Sequence, residues 1–482
     1  MQLTTSPAEP GQRGQAASRQ QQSIEFAIFN VFQNYSPMTS RLIRIVSHYG
    51  RRAGLQFFVA LANFLLIYTS ARALSTSDFG FYSLILVANS FVLLVAIQPV
   101  TDGVNRFYSE AFRNGLYLAL VKITVRVTSL IIALLVVVFI AVAVILTRNN
   151  MLPQHVSPWI YPVALTYFVL YALGSIVVTY CNASANYVMY AAIGAGTPIL
   201  GAAATFAMRE VTVLSAFSVI AIQATAWGTV LAFVAASRFH RLLALVRGFM
   251  DQGPSEAQRD LGKAFVRYIR PTPWLALAAF AFMFGDRILV AKFFSLKDVG
   301  LYSYMYVITT NVVVACFTIY ATTTYLRAVE QFAANDTAEA QKFALRQFAW
   351  TSIAFPFLFF PLAIVYWIAG QQISILLFGP AARVPSECLA ILLIAAALNA
   401  GAQQIAIIGN LLKRQHKFIL PRWLAIGLLA VAIFVYHPSL TGVALAVLFT
   451  NAVYFVATWA VAFIVYKRTF APSAGTTLTI LS

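Results

Sequence analysis

The sequence is short of charge, because Asp, Glu, Lys and Arg together make up 10% of its 482 residues, against about 25% in an ordinary soluble domain. Hydrophobic residues make up 60% of the chain. A membrane-spanning helix uses about 20 residues, so spanning helices and short loops fill a chain of this composition. No soluble catalytic domain fits beside them, and the sequence predicts no enzyme and no catalytic residue.

Cysteine is also scarce. Cys181, Cys316 and Cys388 are far apart and form no CxxC pair, so the sequence supports neither a disulfide framework nor a zinc site. It contains no GxxxxGK(S/T) phosphate loop and no HExxH motif, which argues against a self-contained ATP-driven transporter and against an intramembrane zinc protease. We therefore expect no metal and no cofactor, and an energy source in an ion gradient or a partner.

Long apolar runs are abundant, and each is long enough to cross a bilayer. They predict an all-α polytopic membrane protein with about twelve spanning helices. Residues 1–40, rich in Gln, Ser, Thr and Pro, are predicted to form a disordered cytoplasmic tail. The twelve runs cover about 54–74, 81–102, 127–147, 159–181, 189–208, 212–236, 272–294, 300–322, 348–369, 386–408, 418–436 and 441–466.

The basic residues are distributed unevenly between the two sides of the membrane. Lys and Arg outnumber Asp and Glu by 33 to 15, which gives a net charge of +18. Cytoplasmic loops carry an excess of Lys and Arg, so both termini are predicted to be cytoplasmic. This topology also explains the basic loop 237–270, and no nucleic-acid partner is expected. The cations then predicted to lie outside are Arg72, Arg148, Arg209, Lys292, Lys297 and Arg383.

The chain contains an internal repeat. ARALSTSDFGFYSLILVANS, which begins at Ala71, aligns without a gap to AKFFSLKDVGLYSYMYVITT, which begins at Ala291, 220 residues later. Seven of the twenty positions are identical. Both copies lie between the first and second helices of a six-helix half, so the halves are predicted to be parallel repeats related by an axis along the membrane normal.

The repeat is predicted to form a helical hairpin at the outer surface. Asp78 and Asp298 are expected to cap the helix that follows, and Gly80 and Gly300 to tolerate the turn. Tyr82 and Tyr302 are expected at the lipid–water interface.

Two lobes of equal orientation are typical of transporters that bind substrate between them. The predicted organisation is an N-terminal lobe at 41–236, a cytoplasmic linker at 237–270, a C-terminal lobe at 271–468 and a cytoplasmic tail at 469–482.

Five motifs in order resemble the oligosaccharide flippases of the polysaccharide transporter family, within the multidrug/oligosaccharidyl-lipid/polysaccharide exporter superfamily. The resemblance covers about residues 41–468. The motifs are ARALSTSDFGFYSL from Ala71, RFYSE from Arg106, GDRILVAKF from Gly285, LLFGPAARVPSECLAIL from Leu376 and TGVALAVL from Thr441.

The resemblance implies a flippase of a bacterial inner membrane. Its substrate would be an undecaprenyl-pyrophosphate-linked oligosaccharide, moved from the cytoplasmic to the periplasmic leaflet for O-antigen, capsule or exopolysaccharide synthesis. Its partners would include the polysaccharide polymerase and export machinery.

A diphosphate headgroup calls for cationic side chains, and arginine pairs with phosphate oxygens through two parallel hydrogen bonds. Arg51 and Arg52 begin the first predicted helix, and Arg270 precedes the seventh. Together with Arg287 they are the candidate substrate-binding residues. Anchoring at the cytoplasmic membrane surface remains an alternative role for the first three.

Asp286 and Arg287 lie about 21 Å into the seventh helix, at 1.5 Å per residue. Charges at that depth are costly and normally face a cavity or a partner. They are about 100° apart around the helix, so one can line a cavity while the other contacts a neighbouring helix. Asp286, and after it Asp102, are the candidates for coupling to H⁺ or Na⁺.

Three other classes of protein compete with the flippase, and one of them is a non-transporting scaffold in an envelope complex. A drug/cation antiporter of the same superfamily would share the fold, but a more acidic cavity is expected for it. A membrane glycosyltransferase or polymerase would need acidic residues in a sizeable external loop, whereas the longest predicted external loop, 148–158, has no Asp or Glu.

Overall fold

The computed structural model describes residues 37–148, 157–184, 186–237, 255–320, 338–412, 414–436 and 439–470. All regular elements in these ranges are helical. The helices are α1 Pro37–Ala73, α2 Thr76–Phe91, α3 Gln98–Arg113, α4 Tyr117–Arg148, α5 Ile160–Ala183, α6 Tyr187–Arg209, α7 Ala216–Ser237, α8 Glu256–Ile269, α9 Thr272–Phe293, α10 Leu296–Tyr320, α11 Ala338–Phe357, α12 Phe360–Phe378, α13 Ser386–Leu411, α14 Ile419–Tyr436 and α15 Leu440–Phe470.

Within the described residues, 11 helices are long and apolar enough to cross a membrane. A shorter apolar helix, Ile419–Val435, occupies the position of the eleventh predicted run. Every predicted run therefore contains a helix, and the prediction of an all-α polytopic membrane protein is confirmed. The N-terminal lobe comprises α1 to α7 and the C-terminal lobe α9 to α15, while the cytoplasmic position of the termini stays a prediction.

The chain divides into two compact units, one ending at Leu55 and the other beginning at Gln56. The first unit contributes the beginning of α1. The second contains the rest of α1 and all later helices. Residues 1–36 of the predicted tail 1–40 and residues 471–482 of the predicted tail 469–482 lie outside the described residues, as does half of the predicted linker 237–270, at 238–254.

The two copies of the repeat begin their helices in the same way. Ser75 caps α2 by accepting a hydrogen bond from the Asp78 amide (3.1 Å) and donates its hydroxyl to the Asp78 carboxylate (2.6 Å). Ser295 and Asp298 repeat both bonds, at 3.3 and 2.6 Å. At Ser295 the Asp298 carboxylate also accepts from the backbone amide of the serine (3.2 Å), which completes a capping box. The serine is thus the capping residue, and the aspartate reaches back to it from inside the helix.

Gly80 and Gly300 lie inside α2 and α10, so the expectation that they occupy turns is wrong. A Cβ on Gly80 would overlap the Leu296 carbonyl oxygen, and a Cβ on Gly300 would overlap the Thr76 carbonyl oxygen. Glycine is needed at both positions because any side chain there would prevent the two helix backbones from approaching so closely. Because the partners are themselves related by the repeat, the two lobes contact each other symmetrically here.

Next to this crossing, the hydroxyl of Ser303 donates to that of Ser83, its own counterpart 220 residues earlier, at 2.7 Å. Equivalent residues of two repeats meet only at the axis that relates them. The α2–α10 crossing therefore marks the pseudo-twofold axis of the molecule.

Tyr82 and Tyr302 are 1% and 0% exposed, so the expectation that they lie at the lipid–water interface is wrong. The hydroxyl of Tyr82 accepts a hydrogen bond from Gln223 (2.5 Å), and that of Tyr302 donates to Asp286 (2.6 Å). A buried tyrosine needs a partner for its hydroxyl. Both rings point into their own lobe and meet a polar side chain there.

The close contact of α2 and α10 predicts different effects on stability for two glycine substitutions. Gly80→Ala should destabilise the protein by about 1–3 kcal/mol, the usual cost of overpacking. Gly427→Ala in α14, where nothing lies within 4 Å of an added Cβ, should be neutral or stabilising by up to about 1 kcal/mol. Thermal unfolding in detergent measures both. Equal changes in stability for the two variants would show that α2 and α10 can move apart to accommodate a methyl group without loss of stability.

Candidate functional site

The lobes also meet at the end of the bundle that carries Ser75 and Ser295, here called the hairpin end. Arg72, at the end of α1, donates to the carbonyl oxygens of Leu376 and Leu377, both at 2.7 Å. These carbonyls belong to the last turn of α12, the negative end of a helix dipole. Tyr304 stacks between Phe79 (4.5 Å) and Phe378 (5.2 Å). The hairpin end is therefore closed by polar and aromatic contacts between the lobes.

The C-terminal lobe contains a cavity of about 270 Å³, here called the C-lobe cavity. It lies between α9, α10, α13 and α15. Most of its wall is apolar, with a few polar groups that converge on it, as in small-molecule sites. Its polar lining residues are Asp286, Tyr306, Thr310, Asn399, Gln403 and Asn451.

Asp286 is the ionisable group of this wall among the described residues. It is 5% exposed and accepts hydrogen bonds from the Tyr302 hydroxyl (2.6 Å) and the Arg287 amide (2.8 Å). Arg287, 8% exposed, lies behind the wall with its guanidinium 3.4 Å from the centre of the Tyr306 ring. The division expected from the sequence is thus found, and the acid is the residue that lines the cavity.

Arg287 is not among the residues that line the C-lobe cavity, and its role in substrate binding stays a prediction. The Arg287 guanidinium makes a cation–π contact with the Tyr306 ring. In the described part of the chain, the ion pairs Lys263–Asp260 and Lys342–Glu339 each join residues three positions apart on one helix, and neither involves Asp286 or Arg287. Asp286 and Arg287 compensate each other's charge from a distance, without a direct contact between their side chains.

The N-terminal lobe contains a second cavity of about 170 Å³, here called the N-lobe cavity. No described residue that lines it is charged. Its polar and aromatic lining residues include Tyr82, Asn89, Tyr167, Tyr171, Gln223 and Trp227.

The two cavities are products of the internal repeat. Leu66 and Leu86 line the N-lobe cavity, and the residues 220 positions later, Asp286 and Tyr306, line the C-lobe cavity. The same relation joins Ser90 to Thr310. The two repeat-related cavities thus differ in charge, because the C-lobe cavity has Asp286 where the N-lobe cavity has Leu66.

A third cavity of about 410 Å³ separates α1 from α10 away from the hairpin end, here called the inter-lobe cavity. Asn63 and Ile67 line both this cavity and the N-lobe cavity. Val314 lines both this cavity and the C-lobe cavity. Two of its apolar lining residues, Phe57 and Leu61, are each 51% exposed. The inter-lobe cavity therefore lies next to both of the other cavities, and its edge at Phe57 and Leu61 is apolar and exposed.

The other predicted site residues are dispersed. Arg270 is the exposed residue that ends α8, and Arg287 lies about 22 Å into α9. Asp102 is half-buried in α3; its neighbour Gly103 packs against Phe265 of α8. Neither Arg270 nor Asp102 lines any of the three described cavities. The side chains of Arg51 and Arg52 lie outside the described residues.

Sequence reasoning missed most of the polar cavity lining. Asn399, Gln403 and Asn451 are single amides in apolar runs and carry no local motif. Tyr306 and Thr310, in contrast, fall inside the aligned repeat, opposite Leu86 and Ser90. Following the repeat position by position would have identified these two as lining residues.

Two parallel six-helix lobes, with cavities within and between them, define an all-α polytopic membrane protein. A mutant form of the Vibrio cholerae MATE transporter VcmN superposes with a TM-score of 0.60 at 15% identity, over 88% of this chain and 97% of that one. The lipid II flippase MurJ, in an inward-closed conformation, gives 0.56 at 11% identity, over 87% and 93%.

An inward-facing MATE family transporter described as a member of the MOP superfamily gives 0.54 at 13% identity, over 86% of this chain and 96% of that one. These identities are low, and the likeness shows the fold alone. No protein-family model matches the chain, and no curated protein matches it. Membership of the polysaccharide transporter family therefore stays a prediction.

Proposed function

We propose that this protein is a flippase that moves undecaprenyl-pyrophosphate-linked oligosaccharide from the cytoplasmic to the periplasmic leaflet by alternating access of its two lobes. The main support for this proposal is that neighbouring cavities combine polar walls with an exposed apolar edge. Polar walls inside both lobes suit a hydrophilic glycan, while the exposed apolar edge at Phe57 and Leu61 suits a polyprenyl chain that stays in the bilayer. The fold likeness to MurJ, described as a lipid II flippase, supports a lipid-linked substrate.

The charged residues take different roles in this proposal. Arg51, Arg52 and Arg270 are proposed to attract the diphosphate, on the strength of their positions in the sequence. Arg287 is proposed to hold Tyr306 in the cavity wall and to balance Asp286 rather than to bind phosphate. Asp286 is the proposed coupling residue for H⁺ or Na⁺, with Asp102 second.

The energy for transport can come partly from the membrane potential. Moving one negative charge outward across an interior-negative membrane gains about 2.3 kcal/mol per 100 mV. A diphosphate gains about twice that. We propose a bacterial inner membrane as the location, both termini in the cytoplasm, and the polysaccharide polymerase and export machinery as partners.

A drug/cation antiporter is the second candidate, and one observation favours it. The ionisable group of the C-lobe cavity is an acid, Asp286, which suits a cationic substrate as well as a coupling ion. The two functions differ in what accumulates when the protein is absent, so one strain distinguishes them.

The test is a strain that lacks the protein, in which the sidedness of lipid-linked repeat units is measured. We expect the units to accumulate on the cytoplasmic leaflet and the wild-type gene to restore their translocation. Arg270→Ala should restore it less well, whereas Arg383→Ala, which removes an exposed cation near the hairpin end, should restore it fully.

Two other outcomes would contradict the proposal. Normal translocation with unpolymerised units outside would favour an enzyme or a scaffold in the same pathway. Normal translocation with increased sensitivity to cationic drugs, reversed by the wild-type gene, would favour the antiporter.

A further inference from the structure

The N-lobe cavity contains polar atoms that the fold itself does not use. Asn89 Oδ1 and Gln223 Oε1 are buried and have no hydrogen-bond partner among the described residues. Their side chains are 4% and 2% exposed. Exchanging the oxygen and nitrogen of the Gln223 amide would still leave one of these atoms without a partner, because Tyr82 contacts only the other one. Buried amides without partners indicate a polar occupant of the cavity.

The size of the cavity limits what this occupant can be. At about 170 Å³ it is smaller than the roughly 300–1,000 Å³ of pockets for drug-sized ligands. It is several times larger than the roughly 30 Å³ that one water molecule takes up in the liquid, and so larger than a bare metal cation needs. One six-membered ring with its substituents is the appropriate scale.

The chemistry of the wall favours an uncharged ring with hydroxyl groups. The described lining residues include no Asp, Glu, Lys or Arg, so a charged occupant would be buried without compensation. Amides and tyrosine hydroxyls both donate and accept hydrogen bonds, as sugar hydroxyls do. Tyr171 and Trp227, with ring centres 4.9 Å apart, add an aromatic surface for the apolar face of a pyranose.

We propose that the N-lobe cavity binds one uncharged pyranose ring of the transported glycan. This inference rests on the proposed flippase function and assigns a different role to each lobe. The neutral cavity selects a sugar, while its repeat-related counterpart holds Asp286. The shared lining residues Asn63 and Ile67 place this cavity beside the inter-lobe cavity.

The test uses the fluorescence of Trp227 in the full-length protein, with the other six of its seven tryptophans replaced by Phe. N-acetylglucosamine, glucose and galactose are the probes. We expect at least one of them to change the emission saturably at millimolar concentration. Gln223→Met and Asn89→Leu, on different helices, should each weaken that binding at least tenfold.

The matched control is Thr205→Val, a buried hydroxyl of the same lobe that is 0% exposed and does not line the cavity. It should leave sugar binding unchanged. Tetraethylammonium and pyrophosphate should give no saturable change. No sugar response in folded protein, or a tighter response to either ion than to any sugar, would overturn the proposal.

Failure of this inference is distinguishable from failure of the flippase proposal. If flipping is found and Gln223→Met and Asn89→Leu both leave it and the fluorescence response intact, the sugar site alone is wrong. If flipping is absent but sugar binding depends on Gln223 and Asn89, the site stands and the proposed transport function is wrong.

Discussion

Replacing Ser83 and Ser303 by cysteine should create a disulfide that joins the two lobes and arrests transport, and a reducing agent should restore it. Their hydroxyl oxygens lie 2.7 Å apart, close to the roughly 2.05 Å of a sulfur–sulfur bond. The helix backbones are already at their closest one turn away, at Gly80 and Gly300. Little movement is therefore needed to form the bond.

The arrest follows from where this crossing lies. Ser83 is about 10 Å from the start of α2, and the neighbouring contacts at Arg72 and Tyr304 close the same end. Opening the hairpin end requires α2 and α10 to separate. A covalent bond between them would hold the two lobes in the arrangement of this structure. In that arrangement the hairpin end is closed and the inter-lobe cavity lies away from it.

The measurement combines a transport assay with a gel assay. The background variant has Cys181, Cys316 and Cys388 replaced, and a protease site inserted within 238–254 shows whether the halves are cross-linked. Ser83→Cys and Ser303→Cys alone are the controls and should transport normally in oxidant. Full transport by a completely cross-linked protein would show that the α2–α10 crossing is a pivot that never opens.

The sequence predicted the fold well because the signals for it are local or periodic. Each apolar run gave a helix, and the ungapped repeat gave the parallel lobes. The axis between them passes through residues that the alignment had already paired, Ser83 and Ser303. Pairing identical positions of a parallel repeat is thus a way to locate such an axis from sequence.

The errors concern where side chains point. Tyr82 and Tyr302 were assigned to the membrane surface from their place near a helix end, but both point into a lobe. Gly80 was assigned to a turn, but it enables a contact with a helix 220 residues away. Such facts depend on the packing partner, which no local pattern specifies. The same holds for Arg287, whose partner Tyr306 lies on another helix.

Replacing Arg287 by Met should destabilise the protein strongly, and adding Asp286→Asn should restore most of the stability without restoring transport. Breaking a buried charge pair typically costs about 3–5 kcal/mol because the other charge is left uncompensated. Asp286 and Arg287 are both buried but are not in contact, so we expect the lower end, about 3 kcal/mol. Removing both charges removes that penalty.

The double variant separates a structural from a functional role of Asp286. The asparagine Oδ1 can still accept from the backbone amide of residue 287, and its Nδ2 can donate to the Tyr302 hydroxyl in place of the bond that Asp286 now accepts, so the wall is retained while its charge is lost. Thermal unfolding in detergent gives the stability, and the sidedness assay gives transport. Lys292→Met, an exposed cation of the same helix, is the control and should change stability by less than about 0.5 kcal/mol.

The informative result is the transport rate of a double variant that is as stable as the wild type. Loss of transport in such a protein means that transport needs the charges of Asp286 and Arg287 beyond their contribution to stability. Full transport would show that the charges of Asp286 and Arg287 contribute to the stability of the lobe but are not needed for transport. In that case the potential acting on the diphosphate would be sufficient to drive export.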